Sequence, residues 1–112
     1  MAEWKTKLAK EFQMAEAARA RGNEGQARVC ARRAAGVAIR EYMTRHGIQV
    51  VSPSAVELLK TLVDLPDVSA VARSSAAYLT LRVDEGFKLP PGVDLIREAH
   101  LLCEQLLPDE VK

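Results

Sequence analysis

The residues that most clearly offer chemistry are the arginines between residues 25 and 46. Arg28 and Arg32 are four residues apart, and Arg33 and Arg40 are seven apart, so each pair shares one face of a helix. Two guanidinium groups on one face can hold a phosphate through paired hydrogen bonds. No aromatic residues interleave with them, so base stacking is not implied. This stretch is a candidate phosphate-binding surface, and solvated arginines paired with acidic residues are the simpler alternative.

The histidines and cysteines do not form a recognisable site. Cys30 and Cys103 lie far apart, and a zinc site requires about four ligands at close spacing. We therefore predict no metal and no other cofactor, and we expect both cysteines to be buried thiols. His46 falls at a predicted helix end, where the helix dipole favours a cation. His100 is expected to be a partly buried histidine.

Composition favours one helical domain spanning residues 1–112. The chain has the size of a single domain, with 48% hydrophobic, 28% charged and only 4% aromatic residues. Abundant alanine with few aromatic residues favours packed helices over a β-sandwich. The net charge of +1 divides into +5 for residues 1–46 and −4 for residues 47–112. Since the chain has no membrane-length apolar run and no signal-peptide core near Met1, we expect a cytoplasmic protein without membrane contact.

Apolar periodicity and stop signals predict five helices. The last turn before Gly47 is cationic, Ser54 and Glu57 form a capping box, and Asp67 is the expected cap of the fourth helix. A proline-containing loop is expected from Gly86 to Gly92. The predicted helices cover residues 3–21, 25–46, a short segment after Ser54 that ends at 64–66, about 68–83, and 93–107.

The small side chains of the second helix predict that it lies at the centre of the bundle. Within the short third helix, Val56, Leu59, Leu62 and Val63 are expected to point inward. In the fourth helix, Val71 is expected to lie near the same side as Val68 and Ala72. The predicted core comprises Trp4, Leu8, Phe12, Ala34, Ala38, Leu59, Leu79, Ile96, Leu102 and Leu106.

Three stretches resemble the HEPN domain family, which is named for nucleotide binding in higher eukaryotes and prokaryotes. Residues 25–47 resemble its alanine-rich second helix, which a glycine closes. Residues 54–59 resemble the short helix that follows. Residues 76–82, with the proline-containing loop, resemble the approach to its last helix. The resemblance implies a compact four- to five-helix up-and-down bundle that is often a homodimer.

For function, the resemblance implies a non-catalytic module that binds nucleotide or RNA, or that accompanies a nucleotidyltransferase partner. Arg32, Arg33, Arg40 and Arg82 are the predicted binding residues. A purely structural dimerisation domain is a further alternative.

Ribonuclease members of the family, often toxins of toxin–antitoxin pairs, carry an arginine followed after four to six residues by a histidine. Arg82 occupies the matching segment, but no histidine follows it at that spacing. Arg40 and His46 have the spacing in another segment, although residues six apart on a helix point about 120° from each other. This pair defines the alternative hypothesis of a metal-independent ribonuclease.

Overall fold

The computed structural model describes residues 3–50, 52–81 and 92–108, which form α-helices and contain no strand. The all-α class predicted from the sequence is therefore confirmed. No helix in this part of the chain has the length and apolar character that crossing a bilayer requires. The five helices are α1 (Glu3–Ala20), α2 (Glu24–Arg45), α3 (Ala55–Val63), α4 (Ala70–Thr80) and α5 (Leu95–Leu106).

Polar side chains immediately before the helices determine where α2 to α5 begin. Each accepts a hydrogen bond from an amide of the first turn, and they are Asn23, Ser54, Ser69 and Asp94. The predicted cap at Ser54 is confirmed, but the capping box is not complete, because the Ser54 amide donates to the hydroxyl of Ser52 rather than to Glu57. The prediction of Asp67 as the cap of α4 is wrong. The Ser69 hydroxyl accepts from the amide of Ala72 at 3.1 Å and donates to Gln105 of α5 at 2.8 Å. This second bond anchors the cap to α5.

The far end of α4 was also predicted differently. The helix ends at Thr80, and Leu81 is already extended, with φ −65° and ψ 131°. The predicted end near Val83 lies outside the described residues. The predicted loop does too, except for Gly92, whose φ of 83° is one that glycine adopts without strain.

Helix α2 is central, as its small side chains predicted, and it contacts each of the other four helices. Its alanines at positions 31, 34, 35 and 38 are fully buried. Alanine has no long side chain to hold a neighbouring helix away, so the bundle can close around α2. Cys30 and Cys103 are buried free thiols, as expected.

The predicted core is confirmed except at its edges. Trp4 is half-buried and packs against the core from outside. Val63 is 36% exposed, so its predicted inward position is wrong. Val71 is 46% exposed, although Val68 and Ala72, predicted near the same side of the helix, are buried. Val56 is only half-buried, and Leu58 is buried in its place. Helices α3 and α4 each bury one narrow stripe, and these valines fall beside it.

Arg19 links three helices at one end of the bundle. It donates to both carboxylate oxygens of Glu24, at 3.0 and 2.7 Å, and to both of Asp94, at 3.0 Å. The guanidinium group, chiefly through these hydrogen bonds, holds the pKa values of both carboxyl groups below their usual range. The pair with Asp94 joins the basic N-terminal half of the chain to the acidic C-terminal half.

Candidate ligand-binding groove

A groove of about 620 Å³ lies between α1, α2 and the start of α3, and we call it the α2 groove. Small-molecule sites commonly enclose about 300–1,000 Å³, so its size suits a ligand of that class. Helix α2 forms its floor with Val29, Arg32, Arg33, Gly36, Val37, Arg40, Glu41 and Thr44. The walls are Glu3, Trp4, Lys7 and Glu11 of α1, and residues 53–56 and Leu58 at the start of α3.

Gly36 brings the start of α3 close to α2. A Cβ atom at this position would lie 3.1 Å from the Cβ of Ala55 and 3.3 Å from its Cα, which is tighter than ordinary contact. The N-terminal end of α3 therefore rests directly on the groove floor. Unpaired amides of a helix N-terminus carry partial positive charge, so this wall adds to the positive potential of the groove.

Arg33 and Arg40 both line the groove, in agreement with the prediction that they share a face. Both are exposed, and neither guanidinium group has an ion pair or a hydrogen bond within the described part of the chain. Seven helical residues separate them by about 10 Å along the axis. Two flexible arginines at this separation can reach one ligand placed between them.

Arg32 has a different role from the one that the sequence suggested. Its Nε donates to the carbonyl of Leu79 at 2.7 Å, and a terminal nitrogen donates to the carbonyl of Leu81 at 2.8 Å. Burial and the neighbouring Arg28 lower its pKa. Although Arg32 touches the groove, its donors are thus directed at the end of α4. Arg82, the fourth predicted binding residue, lies outside the described residues.

The alternative of arginines paired with acids of the C-terminal half does not hold for Arg32 of α2 among the described residues. Arg32 binds carbonyl groups, and Arg45 donates to Glu41 of its own helix at 2.8 Å. Arg28 has a buried Nε without a hydrogen-bond partner among the described residues.

Acidic side chains also line the groove. Its charged residues are four basic side chains, Lys7 and the three arginines, against Glu3, Glu11 and Glu41. Glu41 is already paired with Arg45. The Oε1 atom of Glu11 is buried and accepts no hydrogen bond in the described part of the chain. The groove therefore combines unpaired cations with one unsatisfied acceptor.

Trp4 lies on the groove wall, although the sequence predicted that it belongs to the core. It is the single tryptophan of the chain, and the guanidinium carbon of Arg45 lies 5.5 Å from its ring centroid. Its helical spacing with Leu8 and Phe12 predicted a buried stripe, but Trp4 sits one turn beyond the buried part of α1. Sequence reasoning also missed Glu11, which lines the groove from α1.

The structure does not bring Arg40 and His46 together in the groove. His46 caps the C-terminus of α2, its ring centroid lies 4.2 Å from that of Tyr42, and it is not a lining residue. His100 is exposed rather than partly buried, and its ring stacks on Phe12 at 3.7 Å. The two histidines thus have ordinary capping and stacking contacts.

The chemistry of the groove is that of a site for an organic anion. It offers guanidinium donors, an unpaired carboxylate and apolar wall residues, and in the described ranges no three His, Cys, Asp or Glu residues are grouped as in a metal site. Comparison with known proteins adds no assignment, because no protein-family model, curated protein or solved structure matches the chain.

Proposed function

We propose that the protein is a binding module and that its α2 groove holds a nucleotide. The observation that carries the proposal is the pair of unpaired arginines, Arg33 and Arg40, on the floor of a groove of nucleotide size. Guanidinium groups bind phosphate oxygens through paired, charge-assisted hydrogen bonds. In this arrangement the phosphate lies over Arg33 and Arg40.

The apolar side chains of the groove accommodate the base. Trp4, Val37 and Val56 present aromatic and branched side chains to the same space that the arginines line. A nucleotide has a flat, largely apolar ring at one end and a phosphate at the other, so it matches a groove that is apolar and cationic. The resemblance to HEPN domains supports the same proposal of a nucleotide-binding module.

The nucleotide is either free or an unpaired residue of an RNA strand. Both sources present the same phosphate and base to the groove. The homodimer and the nucleotidyltransferase partner that the resemblance implies stay predictions, as does the cytoplasmic location.

Isothermal titration calorimetry with nucleoside monophosphates tests the proposal. The parent protein is compared with Arg33→Ala/Arg40→Ala and with Arg21→Ala/Arg97→Ala, which removes two exposed arginines outside the groove lining. Fluorescence of Trp4 reports whether the ligand enters the groove. We expect the affinity of the parent protein to fall as the salt concentration rises. The affinity should be tenfold or more weaker in the groove variant and unchanged in the control.

A parallel titration with short single-stranded RNA separates the two sources of the nucleotide. Tighter binding of RNA than of monophosphates, lost in the same groove variant, identifies RNA as the source. Equal binding per site identifies the free nucleotide. If neither ligand binds even at low salt, or if the groove variant binds as the parent does, the proposal is wrong and a structural dimerisation domain becomes the better interpretation.

A further inference from the structure

Glu41 lies inside the α2 groove without pairing with the groove cations. It lines the floor next to Arg40, whose guanidinium group has no ion pair among the described residues. The carboxylate of Glu41 accepts instead from Nε of Arg45, one turn further along α2, at 2.8 Å. A glutamate four residues before an arginine is the favourable order on a helix, and it turns the carboxylate toward the C-terminal side of Glu41. Arg40 therefore stays available for a ligand, although an acidic residue stands beside it.

Arg45 is held by a second contact, which reaches across to α1. Its guanidinium carbon lies 5.5 Å from the ring centroid of Trp4, within the range of a cation–π interaction. An isolated surface ion pair contributes little, because solvent screens it and two long side chains must be ordered. Here an indole ring and a carboxylate hold one guanidinium group from two helices. Since the ring already restrains Arg45, less side-chain freedom is lost when the ion pair with Glu41 forms.

Arg45 is not a lining residue of the groove, whereas both of its partners are. In the folded protein the charge of Glu41 is thus neutralised by a cation that stands outside the lining. Without Arg45, the carboxylate of Glu41 would be an unpaired anion beside Arg40. It would compete with a phosphate for that guanidinium group and would repel the phosphate directly.

We propose that Arg45 is a positioning residue for the anion site in the α2 groove. It holds the carboxylate of Glu41 away from Arg40, and it holds the ring of Trp4 on the groove wall. This inference rests on the proposed function, since it concerns the phosphate that the arginines of the floor bind. It adds a residue outside the groove lining that keeps the groove selective for anions, and it states that this residue acts through Glu41 rather than on the ligand.

The test measures the affinity for adenosine monophosphate by calorimetry in the parent protein, in Arg45→Ala and in Arg45→Ala/Glu41→Gln. Arg45→Ala should bind roughly fivefold more weakly, which is the effect of one unit charge about 4 Å from another in water. The double variant should recover the affinity of the parent, because the released side chain no longer carries a charge. Arg21→Ala is the matched control: it removes the same charge from an exposed position outside the groove lining, and it should bind as the parent does.

Fluorescence of Trp4 in the protein without ligand tests the second contact. Arg45→Ala should shift the emission of Trp4, and Arg21→Ala should not. A folding defect would weaken both Arg45 variants alike, so recovery in the double variant excludes it.

Three results would overturn the role of Arg45 and leave the proposed function standing. They are parental affinity in Arg45→Ala, a loss of affinity that Glu41→Gln does not restore, and an unchanged emission of Trp4. If the parent protein does not bind the nucleotide at all, the proposed function fails and the inference fails with it.

Discussion

Replacing Arg32 with alanine should destabilise the fold, even though Arg32 borders the α2 groove. Its guanidinium group donates to the carbonyl of Leu79 at 2.7 Å and to that of Leu81 at 2.8 Å. The last carbonyls of a helix have no intrahelical amide to bond with. Arg32 thus supplies the donors that the end of α4 lacks, from a helix nearly fifty residues earlier in the chain.

The expected loss of stability follows from these two bonds. A hydrogen bond from a charged donor contributes about 1.5–3 kcal/mol to the free energy of unfolding. Arg32 is only partly buried, so solvent screening reduces the sum, and we expect Arg32→Ala to cost about 2–4 kcal/mol. Arg32→Lys keeps the charge, but a single ammonium group cannot span both carbonyls as a planar guanidinium does. Its cost should be about half as large.

Urea unfolding followed by circular dichroism measures both variants. Arg33→Ala is the matched control, because Arg33 is the next residue on α2, is exposed and has no bonded partner among the described residues. It should change the free energy of unfolding by less than about 0.5 kcal/mol. Hydrogen exchange should show faster opening of the last turn of α4 in Arg32→Ala and not in the control. If the two variants unfold at the same urea concentration, Arg32 does not hold α4, and its guanidinium group is free for a ligand.

Three further outcomes are expected from the core and the ion pairs. Burial raises the pKa of Cys103 to about 12, so the free energy of unfolding should fall as pH rises above about 9, where the unfolded thiol ionises. Cys103→Ala should weaken that fall. Equal slopes of the free energy of unfolding against pH in the two proteins would argue against this explanation. Arg19 lowers the pKa of Asp94, so Asp94→Asn should cost under about 1 kcal/mol in the free energy of unfolding at pH 7. This difference should begin to shrink as pH falls below the usual carboxyl pKa of 3.8 and should vanish only below the lower pKa of the folded protein. A constant difference in urea titrations would contradict this. Leu59→Ala should lower the free energy of unfolding by about 2–5 kcal/mol in the same assay, because Leu59 is fully buried. Val71→Ala, at an exposed position, should lower it by under about 1 kcal/mol. Similar losses for the two variants would show that burial is not the cause.

The helices and most of the core were predictable because their signals are local. Apolar spacing of three and four residues marks a buried helical face whatever that face packs against. The cap at Ser54 acts within one turn, so it could be predicted from the sequence directly. The start of α4 was not, because Ser69 competes with Asp67 as the cap and its hydroxyl is held by Gln105 of α5. That contact spans 36 residues and has no local signature.

The candidate site was predictable only in part. Helical geometry alone places Arg33 and Arg40 on one face, and the structure puts both on the floor of the α2 groove. Spacing alone could not distinguish them from Arg32, whose Nε and one terminal nitrogen donate to carbonyls at the end of α4. Nor could it show that Glu11 faces the same groove from another helix, because its place there depends on how α1 packs against α2.

By itself the sequence determined the all-α class, the five helices found in the described residues and the small-residue face that makes α2 central. These follow from periodicity, helix propensity and side-chain size, which act over one or two turns. Tertiary packing decided which arginines remain available, which acidic residue stands opposite them, and that Gly36 lets α3 close one wall of the groove. Those outcomes depend on contacts between residues distant in the chain, because a charged side chain is free or engaged only according to what the folded bundle places beside it.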